Sequence, residues 1–179
     1  GTGPAARLIG DGDAVTVSSS SGLGCPDAML AAIGTRFQQE GHPRRLTLLH
    51  PIAAGDMYGI KGIDHLAKPG LIDTVVAGSL PSGPSSLPMP EIWRMIAGNE
   101  IRAYNLPSGV LFDMHRDAAA KRPGVLTKVG LDTFVDPARQ GGAMNARSQA
   151  EPIVRKVDFE GEAWLFFPNI VPRVAIIRA

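Results

Sequence analysis

Ala14-Val15-Thr16-Val17-Ser18-Ser19-Ser20-Ser21-Gly22-Leu23-Gly24-Cys25-Pro26-Asp27 is the stretch from which the fold is read. The β-branched residues at 14–17 predict a strand, the Ser/Gly run at 18–24 a loop, and Pro26 with Asp27 the first turn of a helix. Met29, Leu30, Ile33 and Phe37 then recur at the spacing of one buried helical face, and Gly41-His42-Pro43 ends it. Leu46-Thr47-Leu48-Leu49 follows as an apolar strand of the kind buried on both faces.

The same alternation continues outward. Residues 71–77 predict a strand, 90–97 a short helix, 101–105 a strand, and 110–121 a helix through Val110, Leu111, Met114 and Ala118, stopped by Pro123-Gly124. An α/β fold follows, with an open, mostly parallel sheet and crossover helices. Residues 79–90, rich in Pro, Ser and Gly, read as a loop without a packing face, and 129–145 as a long ordered loop. Residues 153–159 and 163–167 flank Glu160-Gly161 as a β-hairpin near the C-terminus. Residues 174–177 read as a buried strand. The sequence ends two residues later, and a continuation is expected. Gly1-Thr2-Gly3-Pro4, without an initiating Met, reads as a processed or appended end.

With 179 residues, 44% of them hydrophobic, the chain is long enough for one core and is read as a single domain, 1–179. Its 18 basic and 17 acidic residues are spread along the chain, leaving no block to neutralise a row of phosphates, so nucleic acid is not expected as a partner. The apolar runs fall short of the ~20 residues of a membrane helix, so no membrane partner is expected. Cys25 alone cannot form an internal disulfide, and a cytoplasmic setting fits.

The loop 18–24 sits where backbone N–H groups and a helix dipole can hold an anion or a developing oxyanion, although an ordinary βα loop has the same composition. It lacks the G-x-G-x-x-G spacing of a dinucleotide site and the lysine of a P-loop. Cys25, at a helix start, could be activated by the dipole or be a small packing residue. His115-Arg116-Asp117 imitates a kinase catalytic loop without its downstream Asn. His42, His50, His65 and His115 lack ligand spacing, so no metal site is expected. Asp64-His65 could act as an acid-base pair or as capping and surface residues. Glu40, Glu91, Glu100 and Glu160 fall at turns or helix starts, and no nucleophile emerges.

Gly12-Asp13, Gly24-Cys25-Pro26-Asp27, Arg36-Phe37, Gly41-His42-Pro43, Gly55-Asp56, residues 62–66 with Gly70-Leu71, and Ala103-Tyr104-Asn105-Leu106-Pro107 occur in an order that resembles the N-terminal, α-type half of the family I coenzyme A transferases. The resemblance is to the acetate/propionate and 3-ketoacid type. It continues through Lys128-Val129-Gly130-Leu131, residues 133–139, Gly141-Gly142-Ala143-Met144-Asn145 and the ending 174–178.

It implies an open α/β fold in two similar halves with the active site between them. Such enzymes move coenzyme A between short-chain acids through a glutamyl-CoA thioester, and the nucleophilic glutamate belongs to the second half, so no catalytic residue is expected in this chain. Coenzyme A is then a substrate, with no permanently bound cofactor. The expected partners are the second half, in the same polypeptide or as a β subunit, acyl-CoA and carboxylate substrates, and further copies in a homo-oligomer. From this half the resemblance implies oxyanion or substrate binding by Ser108 and Gly109 and by Ser20, Ser21, Gly22 and Gly24. The family's Pro-Gln-Gly turn is here Pro107-Ser108-Gly109, with serine a shorter donor. Alternatives on such a scaffold are a thioester hydrolase, a sugar-phosphate isomerase, or a non-catalytic module binding acyl-CoA or a partner subunit.

Overall fold

The structure, a computed structural model, describes residues 1–83 and 86–178. Strands β1 (Ala14–Val17), β2 (Leu46–His50), β3 (Ile72–Ala77) and β4 (Arg102–Asn105) run parallel with β8 (Val174–Ile176), in the order β4-β3-β2-β1-β8. Helices α1 (Thr2–Ala6), α2 (Asp27–Glu40), α3 (Glu91–Ala97) and α4 (Ser108–Ala119) lie between or before these strands, with α5 (Ala146–Gln149) after the long loop. A second, antiparallel sheet of β5 (Gly124–Thr127), β6 (Arg155–Phe159) and β7 (Glu162–Pro168) has the order β5-β7-β6.

Two-residue periodicity divides the parallel sheet between two cores. Val15, Val17, Leu48, Val75 and Ala103 join Leu30 and Ile33 of α2 and Ile92 and Met95 of α3 on one face. Leu49, Val76 and Tyr104, each one residue further along, join Val110, Leu111 and Met114 of α4 and Val125, Leu165 and Phe167 of the small sheet on the other. Continuous apolar strands are what a sheet covered on both faces requires. Helix α2 closes on Gly41 at φ 73°, whose N–H donates to the Phe37 carbonyl at 2.8 Å.

Four features differ from the sequence reading. Residues 2–6 form α1 and pack on α2, so the N-terminal segment is part of the fold. Beyond the Pro123-Gly124 helix stop lies β5, too short to carry a period, which turns the expected hairpin into a three-stranded sheet. β8 is an edge strand with Ala175 and Ile177 exposed, not a buried one, because only β1 flanks it among the described residues. Helix α4 begins at Ser108, two residues before the first apolar position of its pattern, since polar first-turn residues carry no periodicity. No helix of the described residues is long and apolar enough to cross a membrane.

Candidate active site

Because β1 to β4 are parallel, the segments that follow them emerge at one end of the sheet, the end at which open α/β sheets bind ligands. The loop after β1 folds into a tight turn, with Ser20 and Leu23 exchanging N–H···O bonds of 3.0 Å. Ser21 pairs with the segment after β2: its N–H donates to the Ala53 carbonyl at 2.8 Å, and Gly55 N–H donates to the Ser21 carbonyl at 3.0 Å. A Cβ on Gly22 would overlap the Asp56 carboxylate, so a side chain here would displace Asp56. Gly24, at φ 67°, has open space around it. The hydroxyl of Ser79, after β3, accepts from Ala53 N–H at 2.8 Å and ties the third loop to the second. Of the loop expected over 79–90, residues 84 and 85 lie outside the described residues.

Pro107 caps α4 and Ser108 is its first residue, so Ser108 and Gly109 stand at the positive end of a helix rather than in an isolated turn. The Ser108 hydroxyl lies against Gly78, where an added Cβ would overlap both it and the Pro51 carbonyl. The Asn105 carboxamide donates to the carbonyls of Ala77 at 3.1 Å and Gly78 at 2.9 Å, locking the ends of β3 and β4 together. The structure thus joins Ser20 to Gly24 with the second loop, and Ser108 with Gly78, at the same end of the sheet.

Beside Gly78 and Asn105 opens a cleft of about 590 Å³, walled by Leu80, Trp93, Phe134 and Met144. Two of these come from the long loop, which lies along β4: Asn105 N–H donates to the Gly142 carbonyl at 2.8 Å and Met144 N–H to the Ala103 carbonyl at 2.9 Å. That loop is organised around Asp136. Its carboxylate accepts from Ala138 N–H at 2.9 Å, Asp132 N–H at 3.0 Å and the Lys156 ammonium at 2.9 Å, which together hold its pKa down to about 2.

The other singled-out residues are engaged separately. Cys25 is buried, and burial pushes its thiol pKa up, the reverse of what a nucleophile needs. Asp64 accepts from Ile92 N–H at 2.8 Å in the first turn of α3, a capping role, while His65 approaches Asp27 at 3.2 Å, so the two do not act on each other. His115 donates from Nδ1 to the Leu111 carbonyl at 2.6 Å, which leaves Nε2 to accept from Thr16 at 2.7 Å. Arg116 pairs with Asp113, and Asp117 with Arg122. Glu40 pairs with Arg7 and Arg36, and Glu91 and Glu100 with Arg94. Glu151 pairs with Arg102, Glu162 with Lys128, and Glu160 sits in the turn between β6 and β7.

Asn105, Asp136 and the cleft walls went unassigned in the sequence reading. Asn105 closes a strand just before Leu106-Pro107, and Asp136 precedes Pro137 in a Gly-rich segment. Both are side-chain-to-backbone positions that turn chemistry could have flagged.

Residues 4–179 match the family model described as coenzyme A transferase. The chain is 37% identical over 174 residues to the caffeate CoA-transferase of Acetobacterium woodii, covering 97% of this chain and 32% of that protein. It is 34% identical over 151 residues to the acetate CoA-transferase YdiF of Escherichia coli, covering 84% and 27%. Among solved structures, the apoenzyme of the acyl-CoA transferase YdiF from Escherichia coli superimposes with a TM-score of 0.85 at 32% identity, over 98% of this chain and 33% of that one. The glutaconate coenzyme A-transferase of Acidaminococcus fermentans shares the fold at a TM-score of 0.64 and 16% identity, over 98% and 54%. The chain spans about a third of the length of the first of these relatives.

Proposed function

This chain belongs to the coenzyme A transferase family, and from that premise we propose that it is the α-type domain of an acyl-CoA:carboxylate transferase whose nucleophilic glutamate lies outside these 179 residues. The observation that carries the second clause is the disposition of the glutamates. Five are tied to arginine or lysine, the sixth lies in the turn of the small sheet, and none lines the cleft.

The chemistry proposed is glutamyl-CoA exchange. A glutamate oxygen attacks the thioester carbonyl and the C–S bond breaks, giving a mixed anhydride and coenzyme A thiolate. The thiolate then attacks the glutamyl carbonyl, the first acid leaves as its carboxylate, and the glutamyl-CoA thioester remains. The acceptor acid reverses both steps. Each attack puts negative charge on a carbonyl oxygen, and this chain would supply donors to it: the Ser108 hydroxyl and the free N–H groups at the start of α4, with the 20–24 loop at the same end of the sheet.

Coenzyme A is a substrate here, with no permanent cofactor. The partners are a glutamate-bearing second half, in the same polypeptide or as a separate subunit, and further copies in a homo-oligomer, in the cytoplasm. The names of the relatives include an aryl acid and a short alkyl acid, so the reading commits to carboxylic acids, with short-chain acids as the expected class. The test is acyl exchange between an acyl-CoA and acetate. Ping-pong exchange is expected when the glutamate-bearing segment is present and none above buffer from these 179 residues alone. Turnover by this chain alone would overturn the reading.

A further inference from the structure

We infer that the cleft beside Gly78 receives the acyl chain of the thioester and favours uncharged alkyl or aryl chains longer than that of acetate, with Phe134 setting their length. The inference rests on the transferase reading above. Gly78 lines the cleft and also carries the Ser108 hydroxyl against its α-carbon. Ser108 itself does not line the cleft, so Gly78 is the link between them: the substituent of a carbonyl held at Ser108 would reach the cleft by passing Gly78.

The lining fits such a substituent. Leu80, Trp93, Phe134 and Met144 offer apolar and aromatic surface, the Asn105 NH2 is already spent on two backbone carbonyls, and the polar groups left in the lining, among them Ser82, Gln140 and Gln149, are neutral. Among the described residues, no Asp, Glu, Lys, Arg or His lines the cleft. A second carboxylate on the acyl chain would lose water there and gain neutral donors but no cation, so dicarboxylic acyl groups are disfavoured. The volume of about 590 Å³ falls in the range of roughly 300–1,000 Å³ that holds drug-sized ligands, so an acetyl group would leave most of it to water. Phe134 is 48% exposed, and its backbone carbonyl, not its ring, accepts from Gly142 N–H at 3.0 Å. Its side chain can be changed without unfastening the loop.

Two tryptophans are present, and only Trp93 lines the cleft, so a Trp164→Phe protein reports on the cleft by fluorescence. N-acetylcysteamine thioesters of acetate, hexanoate, 3-phenylpropanoate and succinate are titrated into it. The hexanoyl and phenylpropanoyl thioesters are expected to shift Trp93 emission with half-saturation at least about 10-fold below that of the acetyl thioester, and the succinyl thioester to give no shift. Phe134→Ala should weaken the phenylpropanoyl response about 10-fold. Equal half-saturation for all four thioesters, or the same shift from pantetheine carrying no acyl group, would overturn the inference. Acyl exchange by the complete enzyme is measured in parallel. The predicted Trp93 pattern without exchange would remove the transferase reading and keep the cleft, whereas exchange without that pattern would remove the cleft and keep the transferase.

Discussion

The hydroxyl of Ser108, at the first position of α4, lies against the α-carbon of Gly78, just past the end of β3. This contact joins the donor proposed for catalysis to the wall of the cleft proposed for the acyl chain. It leaves no room for a side chain at residue 78.

Gly78→Ala should therefore destabilise the protein by about 1–3 kcal/mol, the usual cost of overpacking. Its added methyl would meet the Pro51 carbonyl as well as Ser108, so Ser108→Ala should relieve only part of the loss. Urea midpoints of the two single variants and the double variant measure this. An unchanged midpoint in Gly78→Ala would contradict the close approach.

In the complete enzyme, Ser108→Ala should lower kcat/KM on the order of 10²-fold, the worth of one donor to a developing oxyanion. Ser108→Gln carries a longer donor from the same helical position and should raise kcat/KM above that of the serine enzyme. Equal values in all three proteins would take Ser108 out of the site.

His50 is fully buried at the end of β2, with Nδ1 donating to the Ile52 carbonyl at 3.2 Å and Nε2 unpartnered among the described residues. Burial lowers its pKa from 6.5 to about 4. Between those values the unfolded chain holds a proton that the folded chain does not. Stability is therefore full above pH 6.5 and falls as pH drops toward 4, by up to about 3 kcal/mol. Urea unfolding at pH 7 and pH 4.5 should show the loss in the natural protein and a smaller one in His50→Leu. Parallel pH profiles would reject the assignment.

Asp136→Asn replaces a carboxylate that receives two backbone N–H groups and an ammonium with an amide that cannot serve all three. A loss of about 1–3 kcal/mol is expected. Hydrogen exchange should quicken at Asp132, Ala138 and Gly142. Because Asp136 has its pKa lowered to about 2, its contribution persists above the ordinary carboxylate pKa and disappears as pH falls through about 2. Unchanged exchange at these amides in Asp136→Asn would show that the carboxylate does not organise the loop.

The parallel sheet was legible because its strands are covered on both faces and so read as unbroken apolar runs, as in Leu46 to Leu49, while α2 carries both a periodic face and a glycine stop. β5 was hidden because four residues, one of them exposed Leu126, hold no period. The family resemblance pointed to Ser108, yet its place as the first residue of a helix, and its contact with Gly78, depend on a residue thirty positions away that no local pattern links to it. The cleft has the same character. Trp93 and Phe134 come from distant segments, and their meeting is a tertiary fact. Asp136 belonged to a recognised run of residues, but a run does not say which side chain folds it.

The long loop that lines the cleft also has a mechanical consequence for the sheet. By bonding Ala103 and Asn105 through Met144 and Gly142, it occupies the outer edge of β4 with chain that is not a strand. That edge can no longer template another strand, the usual hazard of an open sheet. At β8, by contrast, no strand covers the outer edge among the described residues, and Ile177 just beyond it is exposed. Among the described residues, the two edges of the sheet therefore differ: the one beside the cleft is closed to strand pairing by the long loop, and the one at β8 presents free backbone groups.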